Sequence, residues 1–198
     1  MSKRLKKELQ IMIEEKMGQL FFGDKKKDMR LLMLRPIDLI EFSEFAGTNA
    51  DDILTWVGKT LGRSFMEKFF YNKDWSNENI VTKKDVFLGV LEAMELMGYG
   101  HLNSLFRKNQ ILVTVNDPLT SQEKDNIMAK NLCLLYLGIF YGVFETLKID
   151  IDGEELECVL LGANKCTYKF DIIGKELEDS VVDPEPSEEA VSDFLSKL

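Results

Sequence analysis

The chain has 198 residues, 45% of them hydrophobic and 10% aromatic, with 34 acidic and 25 basic side chains for a net charge of −9. That length supports one domain with a sizeable core plus appendages, and the composition is that of a folding chain and not a disordered one. The acidic balance excludes a broad phosphate-binding face, which needs clustered Lys and Arg, so no nucleic-acid partner is expected.

The charge is uneven: residues 1–30 carry nine basic and five acidic side chains, and residues 150–198 carry four basic and fourteen acidic. The basic start has acids at Glu8, Glu14 and Glu15 and lacks an unbroken apolar run, so no secretion is expected and the cytoplasm is the expected compartment. The most apolar stretch, Leu132 to Phe144, has thirteen uncharged residues. Roughly 20 are needed to cross a bilayer, so it reads as a buried helix and no membrane span is expected. Three cysteines without a leader point to reduced thiols or thiolate ligands rather than disulfides.

In chain order, Leu5, Leu9, Met12, Ile13, Met17 and Leu20 recur at helical spacing and predict an amphipathic N-terminal helix, followed by a charged loop; residues 1–29 are read as this appendage. Pro36 restricts Arg35 to extended geometry and opens a short helix ending at Gly47. A longer helix begins at Thr48 or Asn49, with Asp51 and Asp52 in its first turn, and continues to Phe70. Ile53, Trp56, Val57, Leu61, Phe65 and Phe69 form its expected buried face, and Gly58 and Gly62 allow close approach of another element. A further helix runs from about Thr82 to Met97 with Val86, Phe87, Val90, Leu91, Met94 and Met97 as its stripe.

Two short strands flank Lys108-Asn109 and stop at Asn116-Asp117-Pro118. The apolar helix then spans about Glu123 to Leu147, with Gly138 and Gly142 suited to tight packing against a helix of this chain or a second one. Asp152-Gly153 reads as a hairpin turn, and Lys165 to Ile173 alternates as a strand. Residues 174–198 read as an acidic linker and a short terminal helix, a possible contact for a protein partner. The order gives an α/β (α+β) fold in which an antiparallel sheet packs with helices.

Cys158 and Cys166 flank a glycine-containing segment, Glu155 precedes Cys158 by three positions, and Cys133 sits on the apolar helix. Three thiolates and one carboxylate would complete a tetrahedral zinc site. A regular hairpin would hold the two cysteines about 13 Å apart, so residues 159–165 must double back. Glu155 and Cys158 also need a bulge or a strand end to share a face. The alternative is that these cysteines are small buried hydrophobes.

The run from "LGIFYGVFE" through "ELECVLLGANKCTYKF" resembles the C-terminal half of the 4-vinyl reductase (V4R) domain, of the hydrocarbon-binding proteins. That family's pattern is a glycine-punctuated helix, then E-x-x-C, a glycine and a second cysteine. The resemblance extends over residues 30–173, with "LMLRP", "WVGKTLG" and "LMGYGHL", and its specific part is the C-terminal motif. It implies Glu155, Cys158 and Cys166 as ligands, with Cys133 matching an upstream helical ligand, and a structural zinc ion as cofactor. It also implies helices on an antiparallel sheet around an apolar cavity, homodimers, and binding of small hydrophobic or aromatic molecules. More distant relatives are small subunits of vesicle-tethering (TRAPP) complexes.

Within such a cavity the candidate ligand contacts are Trp56, Phe87, His101, Tyr136 and Phe140, with Trp56, His101 and Tyr136 as the polar part. Such aromatic stripes also occur as plain core. Haem-binding relatives of the superfamily use a helical axial histidine, for which His101 is poorly placed. No motif supports catalysis. The expected function is small hydrophobic-molecule sensing with a structural zinc site, signalling through a partner or dimer state; the alternative is a dimeric tethering-type scaffold with no exchangeable ligand.

Overall fold

The computed structural model describes residues 10–16, 18–23, 29–70, 73–174, 177–178 and 180–184. The charge run at residues 24–28 and the terminal helix expected after Ser187 lie outside the described residues.

The expected N-terminal helix is instead a strand hairpin where it is described: β1 (Gln10–Glu14) pairs antiparallel with β2 (Gln19–Gly23), which pairs with β3 (Met29–Leu31). The helical spacing misled because it ran through Gly18, whose φ of +60° belongs to a turn. Phe22 is fully buried and packs on Ala93 and Met97, joining this small sheet to the helical layer.

The helices follow the sequence reading closely. Helix α1 (Pro36–Ala46) starts at Pro36 behind an extended Arg35 and stops at Gly47, whose φ is +62°. Helix α2 is Ala50–Phe70, and α3 is Ile80–Leu96, where the Asn79 side chain accepts a hydrogen bond from the Thr82 amide at 2.8 Å. Val86, Phe87, Val90, Leu91 and Met94 are buried as expected. Helix α4 (Lys130–Leu147) is shorter than predicted, because 3₁₀ turns at Leu119–Gln122 and Ile127–Ala129 occupy the polar stretch before it.

The two glycine pairs meet each other. A Cβ on Gly58 would stand 2.9 Å from Gly138 Cα, and one on Gly142 would stand 3.0 Å from Lys59 Cα. Helices α2 and α4 therefore cross with their backbones in contact, and the Gly138/Gly142 face is buried within this chain rather than open to a second one. The buried side of α2 is Leu54, Gly58, Gly62, Phe65 and Met66. Trp56, expected on that face, points to solvent.

The second sheet has the antiparallel order β4-β5-β7-β6, built from β4 (His101–Phe106), β5 (Gln110–Asn116), β6 (Ile151–Glu157) and β7 (Cys166–Ile172). Its core face alternates in register: Val115, Val113 and Ile111 stand opposite Cys166, Tyr168 and Phe170, all fully buried. The hairpin expected at Asp152-Gly153 is not there, since both residues lie inside β6. Gly153 is needed for space: the Phe170 ring and the Tyr141 hydroxyl press on it, and that hydroxyl accepts from its amide at 2.7 Å and donates to its carbonyl at 3.1 Å.

Residues 177–178 and 180–183 strap the turn end of the β4–β5 hairpin. Leu177 and Val181 are buried in the core, the Leu177 amide donates to the Lys108 carbonyl, and the Asp183 carboxylate takes both the Phe106 amide (2.7 Å) and the Lys84 ammonium (2.5 Å). Lys84 also donates to the Val181 carbonyl at 2.7 Å. Removing the acceptor leaves a partly buried ammonium and amide short of a partner. Asp183→Ala should therefore lower unfolding stability by about 2 kcal/mol in urea, and Lys84→Met made on top of it should cost much less than Lys84→Met alone.

Candidate metal centre

Four chain segments converge where α4 meets the ends of β6 and β7. Cys133 lies in the first turn of α4, facing the sheet, and is 3% exposed. Cys166 opens β7 on its core face, set there by the same alternation that buries Tyr168 and Phe170.

Glu155 and Cys158 reach the same side of β6 through a bulge. Glu155 pairs with Tyr168 and Glu157 with Thr167, so Leu156 is an extra residue that shifts the alternation by one. After Cys158 the chain makes a 3₁₀ turn, Val159–Leu161, and Gly162 turns it back with φ of +93°. The Cys158 carbonyl accepts from the amides of Leu161 and Ala163 at 3.0 and 3.2 Å, which ties the loop to its own base. Cys158 and Cys166 are thus neighbours at a loop neck, as a shared ion requires.

The ligand atoms of Cys133, Glu155, Cys158 and Cys166 all lie within 4.8 Å of one another. The Cys133 and Cys158 sulfurs are 3.5 Å apart, close to the roughly 3.8 Å edge of a tetrahedron with Zn–S bonds near 2.3 Å. All three cysteines are free thiols and buried.

Burial and mutual proximity make it costly for these groups to carry charge together unless a cation joins them. Donating its thiol hydrogen to Cys166 pushes the Cys133 thiol up, with burial adding to it, while the same hydrogen bond pulls Cys166 below its ordinary value. Burial pushes Cys158 up to about 11. Among the described residues the Glu155 Oε1 atom is buried with no hydrogen-bond partner. A buried carboxylate oxygen without a donor costs free energy that a coordinated ion would offset. Three sulfurs and a carboxylate therefore fit a four-coordinate zinc ion with no open position.

The five expected ligand contacts do not come together. Tyr136, Phe140 and Phe87 are buried among other rings: Phe87 stacks on Phe144 at 4.6 Å, and Phe140 meets Tyr168 and Phe170 at 5.5 and 5.7 Å. The Tyr136 hydroxyl donates to the Tyr99 carbonyl at 2.5 Å and accepts from the Leu119 amide at 3.1 Å, so its polar end staples two loops. Trp56 is 64% exposed, and His101 lies at the outer start of β4 with Nδ1 2.8 Å from Glu95. Neither lines a core cavity. The layer expected to hold one is occupied by ring contacts, and clefts of about 640 and 240 Å³ open elsewhere, beside β2 and β3 and at the start of α3.

No family model matches the chain and no curated protein is similar to it. Among solved structures, it is similar to the phenol-responsive sensory domain of the transcription activator PoxR, with 15% identity, a TM-score of 0.56 and coverage of 98% of this chain and 93% of that one. It is also similar to an H-NOX protein from Shewanella oneidensis, with 14% identity, a TM-score of 0.52 and coverage of 77% and 84%. A trafficking protein particle complex subunit 3 from Naegleria fowleri is aligned at 13% identity, over 73% of this chain and 100% of that one, with a TM-score of 0.45 that supports no argument. The chain therefore has the mixed α+β fold seen in the PoxR sensory domain and the H-NOX protein. Among the described residues no helix is long and apolar enough to cross a membrane.

Proposed function

We propose that this chain is a sensing module for small hydrophobic molecules in which a structural zinc ion, held by Cys133, Glu155, Cys158 and Cys166, locks α4 to β6 and β7. The observation that carries the reading is the convergence of these four ligand atoms within 4.8 Å, in a fold similar to that of a phenol-responsive domain. With every position filled by protein, the ion would supply folding energy and not a reaction centre. Keeping three free thiols available for it suits the cytoplasm.

The hydrophobic ligand would enter between the sheet and α3 and α4, where Phe87, Tyr136 and Phe140 lie. Entry parts rings that now touch, so occupancy changes how the helices sit on the sheet. That is a signal a partner protein or a second copy can read. Haem, which the H-NOX family carries, finds no imidazole inside this core, because His101, the single histidine, is 67% exposed on its side chain and paired to Glu95.

A selective ligand must stabilise the native state, by about 2.7 kcal/mol at a hundredfold excess over Kd. Zinc-replete protein should show a saturable rise in Tm with at least one member of a panel of phenols and alkylbenzenes. A flat response across the panel would favour the dimeric scaffold, for which the exposed apolar side chains of Leu32, Met33 and Phe45 are the supporting observation.

A further inference from the structure

Lys83 stands in the first turn of α3 and keeps only 7% of its surface exposed. Lysine is almost never buried to that extent without a partner. Yet among the described residues no hydrogen bond or ion pair engages its ammonium, and Glu78, the acid whose field it feels, is bound to Lys73 at 2.6 Å. Burial accordingly holds its pKa below the ordinary lysine value.

The side chain lines the cleft of about 240 Å³, together with Ile80, Ile149, Ile172 and Leu177 as apolar wall and Lys148 as a second cation. Ile80 is the first residue of α3, a helix of 17 residues, so the positive end of the helix dipole lies at this cleft. Asp150 and Glu178 also line it, and both are exposed. Both acids face water, which screens their charges.

We propose that this cleft is a second binding site, specific for a small molecule that carries one carboxylate on a short apolar body, with Lys83 as the anion's partner. The carboxylate would take the charge-assisted hydrogen bonds that Lys83 lacks, and the isoleucines and Leu177 would cover the hydrocarbon. The cleft is smaller than the roughly 300–1,000 Å³ of pockets for drug-sized ligands, which sets the size class. Asp150 and Glu178 would discourage a second negative charge. The site stands apart from the metal cluster and does not depend on the sensing reading: a core that ignores phenols leaves it intact.

The test is calorimetric titration of the full metal-replete chain with hexanoate and, in parallel, with the neutral analogue 1-hexanol. A hydrogen bond to a charged group contributes about 1.5–3 kcal/mol, so hexanoate should bind about tenfold or more tightly than hexanol. Lys83→Met should erase that preference, and Lys148→Met should reduce it severalfold. Because Lys83→Met keeps an unbranched stem of similar length in place and gives up an ammonium with no partner among the described residues, it should fold about as stably as the parent. Lys83→Gln, which keeps a polar head without the charge, should also lose the preference. Hexanoate binding that survives Lys83→Met undiminished, equal binding of hexanoate and hexanol, or no binding by the parent at about 10 mM would each overturn the proposal.

Discussion

Gly142→Val should destabilise the protein by about 3–5 kcal/mol, among the largest effects available to a single substitution. A Cβ at Gly142 would meet the Lys59 carbonyl and stand 3.0 Å from Lys59 Cα, and one at Gly62 would meet the Ile139 carbonyl and stand 3.0 Å from the Val143 amide. These neighbours are backbone, which cannot swing aside as a side chain can. Relief requires α2 and α4 to separate, and that strips packing from Phe65, Ile139 and Val143 together. Urea denaturation of Gly142→Val beside Gly18→Ala gives the comparison. Gly18 has open space around it and only its φ of +60° to defend, so that change should cost about 1 kcal/mol. Similar losses at the two positions would show that the helix crossing is looser than described.

Cys166→Ser should cost at least about 3 kcal/mol, and removal of metal with a strong chelator should bring the parent down to nearly the same stability. Serine has the shape of cysteine, but its hydroxyl is not a thiolate ligand at neutral pH. The chelator should then have little further effect on Cys166→Ser, because the two perturbations remove the same interaction. Glu155→Gln separates the metal account from simple packing by its sign. Without an ion, the substitution relieves a buried carboxylate oxygen that has no donor and should be neutral or stabilising. With an ion, it removes an anionic ligand and should destabilise by several kcal/mol.

The helices were legible because their marks are local. Pro36 and Gly47 bracket α1, Asp51 and Asp52 mark the first turn of α2, and the stripe from Val86 to Met94 has helical period. The N-terminal hairpin was missed because five-residue strands with apolar residues at Met12, Ile13 and Leu20 satisfy a helical count as easily as an alternating one. Asp152-Gly153 has the composition of a turn, but Gly153 is there to admit the Phe170 ring, a tertiary demand invisible in the dipeptide.

The four metal-ligand candidates were legible only with the conditions attached to them. The bulge at Leu156 and the turn at Gly162 are what bring Glu155, Cys158 and Cys166 together. Gly162 was visible as a breaker, whereas Leu156 carried no signal. The aromatic candidates divide, three in the core and two outside it, for a different reason: periodicity gives a helix face but not what it faces, so exposed Trp56 and buried Phe87 looked alike. The Lys84–Asp183 clasp was missed because partners separated by 99 positions leave no local trace.

The most direct test of the central claim is the metal content of the purified full chain by inductively coupled plasma mass spectrometry, in parallel with Cys133→Ser, Glu155→Gln, Cys158→Ser and Cys166→Ser. The account predicts one zinc per parent chain, lost or substoichiometric in every variant. A parent that is stably folded without metal would contradict it, and the four side chains would then be core packing around an unexplained buried carboxylate.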